Sequence, residues 1–415
     1  MKKIFIFLCL CVFVFPLEAA IQTPTIHSNF ELIESVPKDT IYGQPHVRRT
    51  QTVWLDMLNE AKKTIDLGAF YLTDAPHSSM DPVIFALKKA AERGVKVRII
   101  LDGAFYDQSK PTAQLLEGQP NITIRVLPMN ALTGGVMHAK YFVVDDEDSF
   151  VGSSNFDWRA LDQIHEIGVR IRNRALAQTI LQVFNLDWAL CETKDVNQHR
   201  FLLYKYATTP LVTVENPIVL QHQHELLVIH PAFSPKSLLP MGVDWELKQF
   251  VQLMKQAQHQ ILMQVLVYSP AAGYQQKGYW ATLDNAIRAA AGRGVHVKLI
   301  VSNWALKKPG IDYLKSLSVI PNVEIKYSLL PLYQHKAIQY ARVEHCKYMV
   351  IDHNLSWVGT GNWQWGYFYD TRNIAIIIKG SEPNKTLHSI FFRDWFGPYV
   401  HPIKASEDYS SVRTH

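Results

Sequence analysis

Two sets of residues recur in this chain at matched spacing. The first is His138, Lys140, Asp145, Ser153 and Asn155; the second is His345, Lys347, Asp352, Thr360 and Asn362. In both, His to Lys is two residues, Lys to Asp five and His to Asn seventeen. Identical spacing in two distant places indicates a duplicated site rather than a coincidence of polar residues. The residue types suit a phosphate group. Lysine brings a cation, asparagine and a hydroxyl bring neutral donors, and histidine serves as nucleophile or proton donor. Such donors can stabilise the charge on a pentacoordinate phosphoryl group without a metal. Two histidines, one on each side, suit in-line displacement: one attacks phosphorus, while the other protonates the leaving oxygen and then activates water or an alcohol.

The elements that would carry these groups are hairpins. His138 and Lys140 are two apart, so on a strand they leave the same face. Tyr141 to Val144 continues that strand, Asp145 to Asp148 reads as a turn, and Ser149 to Gly152 reads as the returning strand. A two-residue loop, Asp146-Glu147 or His353-Asn354, would place Lys140 opposite Ser153 and His138 opposite Asn155, with Lys347 opposite Thr360 and His345 opposite Asn362. Ser153, Asn155, Thr360 and Asn362 are the expected phosphate-binding groups. Asp145 and Asp352 complete the candidate set, but their parity is opposite to that of the lysines, which favours a structural role at the strand end.

The repeat extends beyond the motif. Arg93-Gly94-Val95-Lys96-Val97-Arg98-Ile99-Ile100 returns as Arg293-Gly294-Val295-His296-Val297-Lys298-Leu299-Ile300. Each copy follows an Ala-rich amphipathic stretch, the pattern of a helix, a glycine C-cap and a strand. Upstream, Val53 to Lys63 reads as a helix and Thr64 to Leu72 as a strand, with counterparts at Leu247 to Gln258 and Gln260 to Tyr268. The fold class is therefore α/β, with two duplicated lobes of sheet flanked by helices. The expected lobes are 28–192 and 244–400. Between them a bridge over 193–243 should be broken by Pro210, Pro217, Pro231, Pro235 and Pro240, and 401–415 reads as a tail.

The composition is that of an ordinary globular protein: 415 residues, 48% hydrophobic and 19% charged. Net charge is +5 and the isoelectric point is near 8.8. Mild basicity suits an anionic ligand, but there is no run of like charges to clamp nucleic acid. Met1-Lys2-Lys3, the apolar run from Ile4 to Phe15 and the small residues to Ala20 have the grammar of a cleaved secretory signal over 1–20, which implies a secreted or periplasmic protein. An uncleaved anchor is disfavoured because a span needs about 20 apolar residues. Cys9 and Cys11 lie inside the run, which argues against a lipoprotein. Cys191 and Cys346 remain, too few for a disulfide scaffold. Cys346 is expected to be a buried, unpaired thiol, and no metal site is expected. His222 and His224 read as a solvated loop. Trp158, Trp363, Trp365 and Tyr367 could stack bases, line an acyl groove or pack the hairpins; Tyr71 and Tyr268 are candidates for a pocket rim.

At these motifs the chain resembles the phospholipase D superfamily, whose signature is His-x-Lys-x(4)-Asp followed by Gly-Ser-x-Asn. More narrowly it is similar to the branch of animal lysosomal phospholipase-D-like exonucleases and poxvirus envelope phospholipase-like and nicking proteins. Gly152-Ser153-Ser154-Asn155-Phe156-Asp157-Trp158-Arg159-Ala160-Leu161 and Tyr340-Ala341-Arg342-Val343-Glu344-His345-Cys346-Lys347-Tyr348-Met349-Val350 carry that likeness, with Gly359-Thr360-Gly361-Asn362-Trp363 and Glu34-Ser35-Val36-Pro37. The resemblance implies two lobes about a pseudo-twofold, a metal-independent phosphodiester site at their interface and a covalent phosphohistidine. It implies no cofactor. A nucleic acid substrate is favoured and a phospholipid headgroup is the alternative; a phosphate-binding protein without turnover is a third reading. One chain carries both motifs, so a monomer should suffice, with no obligatory protein partner.

The superfamily often carries a glutamate that orients a catalytic histidine, and Glu166 stands at that position in the first half. The same offset in the second half gives Asn373. If each group serves its own half, His138 is the better proton donor and His345 the better nucleophile, because a carboxylate favours an imidazolium and an amide does not. The pairing could instead cross between lobes.

Overall fold

The computed structural model describes residues 28–413 apart from 194–195 and 272–277, so the expected leader over 1–20 lies outside the described residues. Among the described residues no helix is long and apolar enough to cross a membrane.

Each half forms a mixed sheet. The eight-stranded sheet runs Arg48–Arg49, Phe30–Ser35, Glu166–Arg172, Asp148–Gly152, Tyr141–Val144, Thr64–Ala69, Lys96–Asp102, Ile122–Leu127. The nine-stranded sheet runs Ile218–His222, Glu225–Ser234, Asn373–Lys379, Leu355–Gly359, Lys347–Ile351, Gln260–Val265, His296–Ser302, Val323–Ser328, Val400–Pro402. From the second strand of each list the order matches for seven strands, as a duplication requires, and Val400–Pro402 is an addition at the edge of the second sheet. Gly94 and Gly294, both at φ +90°, turn the chain from the helices Asp81–Glu92 and Ala281–Gly292 into the next strand. That left-handed conformation is open to glycine at little cost.

One face of each sheet packs on its own helices, giving a separate apolar core in each lobe. The other faces share a core. Helices Arg174–Leu190 and Ser381–Trp395 bury their apolar stripes together with residues of both sheets in one continuous cluster, which includes Tyr141, Ile167, Tyr348 and Ile376. The lobes are thus bound by hydrophobic burial as well as by the polar ties described below.

Two expectations about organisation are corrected. The proline-rich stretch 193–243 is not irregular. It contains the strand Glu225–Ser234, which pairs with Asn373–Lys379 and holds Pro231 within it. This strand is the counterpart of Phe30–Ser35, so it is part of the second sheet. Nor is 401–415 a free tail: Val400–Pro402 pairs at the sheet edge, and Ile403 and Tyr409 are buried in the second core.

The hairpin register also differs from expectation by one residue. Val144 pairs with Asp148 and Ile351 with Leu355, so each loop holds three residues. Lys140 consequently lies opposite Gly152, whose N–H donates to its carbonyl, and not opposite Ser153. By the same register Lys347 falls opposite Gly359 and not Thr360. The cause is the aspartate that opens each loop. Asp145 and Asp352 adopt left-handed backbone, φ 55° and 47°, a conformation that aspartate tolerates better than most residues. Their carboxylates then collect three N–H groups apiece. Asp145 accepts from Lys62, Lys63 and Thr64 at 2.6–2.9 Å, and Asp352 from Gln258, His259 and Gln260 at 2.8–3.0 Å.

The segments preceding the hairpins cross to the other lobe. His138 N–H donates to Arg372 O at 3.0 Å and Arg372 N–H to Val136 O at 2.9 Å. Symmetrically, His345 N–H donates to His165 O at 3.0 Å and His165 N–H to Val343 O at 3.2 Å. Gly135 makes the first crossing possible, since a Cβ there would lie 2.2 Å from Asp370 O. The Arg372 guanidinium is fully buried. It donates twice to Asp187, at 2.7 and 2.9 Å, and also to the carbonyls of Ser234 and Leu238.

Removing one partner of such a buried pair strands the other charge. Arg372→Met should lower unfolding free energy by about 3–5 kcal/mol, and adding Asp187→Leu should recover most of the loss. Urea unfolding of the two variants checks this; an unchanged midpoint in the single variant would show that the pair does not hold the lobes.

Candidate active site at the seam between the lobes

The crossings bring both histidines to one place. His138 and His345 are buried, as are Lys140 and Lys347. Each lysine Nζ donates to the carbonyl of its own motif histidine, Lys140 to His138 and Lys347 to His345 at 2.7 Å. The charges of the two halves are close enough to act on one another. Burial pulls both histidines well below the usual imidazole range, and both lysines pull them further. Burial also lowers Lys140, an effect strengthened by Lys347, and takes Lys347 down to about 8.

The ring partners do not serve their own halves. Glu166 bonds His345 Nδ1 through both carboxylate oxygens, at 2.8 and 2.9 Å, whereas Asn373 Oδ1 lies 3.3 Å from His138 Nδ1. This overturns the premise of the own-half assignment: the pairing crosses between the lobes. The cause is the backbone crossing: the residue after His165 is Glu166, and the residue after Arg372 is Asn373. The Asn373 amide is oriented by its surroundings. Its Nδ2 donates to Tyr367 O at 2.8 Å and Thr371 O at 3.3 Å, so its Oδ1 faces the histidine as an acceptor. That acceptor is matched by the neutral His138 tautomer with its proton on Nδ1, which carries its lone pair on Nε2. Burial holds the Glu166 carboxyl well above its ordinary range, against the pull of Lys347, Ser153 and Lys140.

Four further candidates sit beside this centre. The Ser153 hydroxyl donates to Ile167 O and accepts from Ile167 N–H; the Thr360 hydroxyl donates to Asn373 Oδ1 and accepts from Ile374 N–H. These hydroxyls brace the strands that carry Glu166 and Asn373. Asn155 and Asn362 differ: each has a buried side-chain oxygen without a hydrogen-bond partner. Asp145 and Asp352 are not brought to the centre. They cap strand starts at the far end of the hairpin, roughly 16 Å of strand from the lysines.

Several contributing residues escape motif reading. Asp102 accepts from the N–H groups of Met137, Ala104 and Phe105, which fixes the chain just before His138, and burial raises its carboxyl to about 6. Its position at the end of a buried strand was the available signal. Behind His345, His165 lies between Glu344, 2.7 Å from Nδ1, and Glu34, 3.0 Å from Nε2. Arg393 bonds Glu34 at 2.8 Å and Asp394. Burial alone would lower His165, but Glu344, Asp394 and Glu34 outweigh it and carry it up to about 10. His165, Glu344 and Cys346 each place a potential metal donor within 4.8 Å of the others. Those donors are bonded to one another, and the slot of His165 in the other half belongs to the Arg372 cation. The arrangement is that of an ion cluster.

The flagged aromatics divide. Trp363 and Tyr268 are core residues, Tyr268 donating to Asp284 at 3.0 Å, so Tyr268 is no pocket rim. Trp365 stacks on Tyr369, and Trp158 packs on the first core. Tyr367 reaches the site, its ring 5.0 Å from that of His138. His222 lies on the strand Ile218–His222 with Nδ1 3.1 Å from Ser28 Oγ, and not in a loop. Cys191 and Cys346 are free thiols, the latter buried.

Comparison with known proteins agrees with this geometry. The family model "Cardiolipin synthase, PLD-like domain" matches twice, over residues 54–188 and 250–395. Phospholipase D Z of Dictyostelium discoideum is 30% identical over 399 residues, covering 92% of each chain. The mouse 5'-3' exonuclease PLD4 is 29% identical over 399 residues, covering 89% of this chain and 78% of its own. Phosphatidylserine synthase of Haemophilus influenzae shares the fold at a TM-score of 0.57 and 14% identity, over 88% of this chain and 86% of that one. With one copy of the domain in each lobe and a histidine and a lysine from each at the seam, the chain belongs to the phospholipase-D-like domain family and is a phosphodiesterase.

Proposed function

We propose that this phosphodiesterase is a single-stranded nucleic acid nuclease that works through a phosphohistidine on His138. The observation that carries the mechanism is the unlike pair of ring partners, an amide on His138 and a carboxyl group on His345. An amide gives no charge to stabilise an imidazolium, so His138 stays neutral with Nε2 free to attack. Burial favours neutral forms of both Glu166 and His345. A phosphodiester anion between the lysines reverses that balance, drawing the proton onto His345 with Glu166 as its counter-ion.

In the first step His138 Nε2 forms a bond to phosphorus, the bond from phosphorus to the leaving oxygen breaks, and His345 gives its proton to that oxygen. In the second step His345 takes a proton from water. The hydroxide oxygen bonds phosphorus and the P–N bond breaks, which returns both histidines to their starting forms. Lys140, Lys347, Asn155 and Asn362 hold the non-bridging oxygens. Both halves come from one chain, so a monomer suffices. The nucleic acid reading is supported by the exonuclease relatives and by the mild basicity of the chain. Phospholipase D Z keeps a phospholipid headgroup as the competing substrate.

The test is cleavage of end-labelled single-stranded DNA and of phosphatidylcholine vesicles with EDTA present, beside His138→Ala and His345→Ala. DNA cleavage lost in both variants is expected. Lipid cleavage alone would replace the nuclease reading, and phosphate binding without turnover of either would leave a binding protein.

The partner assignment has its own signature. Glu166→Gln should lower kcat on the order of 10²-fold, the scale of general acid catalysis. Asn373→Asp should raise the pKa of His138, and since neutral His138 is required, the acidic limb of kcat/KM should move to higher pH. A pH–rate profile unchanged in Asn373→Asp would show that Asn373 does not set the charge on His138.

A further inference from the structure

The two halves match at the motifs but not around them. Beside His138 stands a corner of aromatic rings. Phe70 lies 4.9 Å from the His138 ring, Phe105 lies 4.2 Å from Phe70 at an angle of 51°, and Tyr367 meets His138 edge-on at 5.0 Å. Lys140 Nζ sits 5.1 Å from the centre of the Phe70 ring. All three aromatic residues are half-buried, so part of each remains open. The duplication supplies an internal control. Aligning Thr64 with Gln260, Lys96 with His296 and Trp158 with Trp365 places Leu266, Ala305 and Ala160 at the corresponding positions around His345. All three are buried and none carries a ring. The rings beside His138 thus have no counterpart at the three equivalent positions beside His345, where Leu266 packs with Ile164, Val343 and the neighbouring Trp304.

That asymmetry lines up with the asymmetry of the reaction. In an in-line displacement the leaving oxygen departs opposite the nucleophile, toward the proton donor, while the retained group stays joined to the nucleophile through phosphorus. We propose that Phe70, Phe105 and Tyr367 form the stacking corner for the nucleobase of the retained nucleotide, and that the leaving strand departs on the side of His345. This rests on the nuclease reading and on His138 as nucleophile. Ring faces hold any base, because every base has a π-face, so the corner selects for a base without selecting its sequence. A cation poised over Phe70 pulls the corner and the phosphate subsite together, so that stacking also places phosphorus against His138.

The test uses the intact wild-type protein and short single-stranded oligonucleotides with one abasic residue, placed on either side of the scissile bond. The product that carries the phosphate identifies the retained nucleoside. Loss of the base on the retained side should lower kcat/KM about tenfold or more, the scale of one base stacking contact, whereas loss on the leaving side should matter far less. In Phe70→Leu and Tyr367→Leu the ratio between the two substrates should fall toward one. Equal losses on both sides, a loss confined to the leaving side, or no loss would overturn the stacking corner while the nuclease reading stands. Absence of cleavage of every oligonucleotide would remove the nuclease reading and the corner with it. Should the variants fail to fold, the wild-type ratio alone decides.

Discussion

The structure depends on a backbone exchange between the lobes. Each histidine-bearing segment leaves its own sheet and bonds to the strand entry of the opposite lobe, His138 to Arg372 and His345 to His165. Backbone hydrogen bonds fix that register, since unpaired N–H and C=O groups at a buried crossing are costly. Once the register is fixed, the next residue on each receiving strand becomes the ring partner. Glu166 meets His345 and Asn373 meets His138 as a consequence. The buried pair Arg372–Asp187 and the cluster about His165 then hold the crossings from behind. Neither half could assemble its histidine and partner alone.

The duplication explains why the site has two similar sides, and its divergence explains why they do different work. In the proposed mechanism, a carboxyl group against an amide separates proton donor from nucleophile. The same divergence replaces an arginine with a histidine among carboxylates in the layer behind. Cys346, expected to be an inert buried thiol, lies in that layer with Sγ 3.5 Å from His165 Nδ1. Its thiol is pushed well above the ordinary range by burial and by Glu344, which keeps it protonated and unreactive.

Much of this was legible in the sequence and some was not, for identifiable reasons. Spacing alone marked the two hairpins, the candidate histidines and lysines, and the α/β character of each half, because strand parity and helix caps are local properties. Strand parity sets Asp145 and Asp352 apart from the lysines in the sequence; in the structure both open the hairpin loops and tie strand starts. The loop length is not legible, because left-handed aspartates that cap a neighbouring strand leave no mark distinguishing a three-residue turn from a two-residue one. The strand around Pro231 was hidden by prolines, which read as breakers when the neighbouring strand is unknown. The partner exchange was beyond sequence reading altogether. Counting along a strand shows which face a side chain takes, but not which lobe that face meets.

Which histidine becomes modified decides between the two role assignments. The direct measurement is acid-free trapping of the covalent intermediate during turnover of a labelled phosphodiester, followed by mass-spectrometric mapping of the phosphorylated histidine. The cross-lobe assignment predicts label on His138, abolished by His138→Ala. Label on His345 would contradict it, and would mean that the carboxyl partner activates the nucleophile instead of the proton donor.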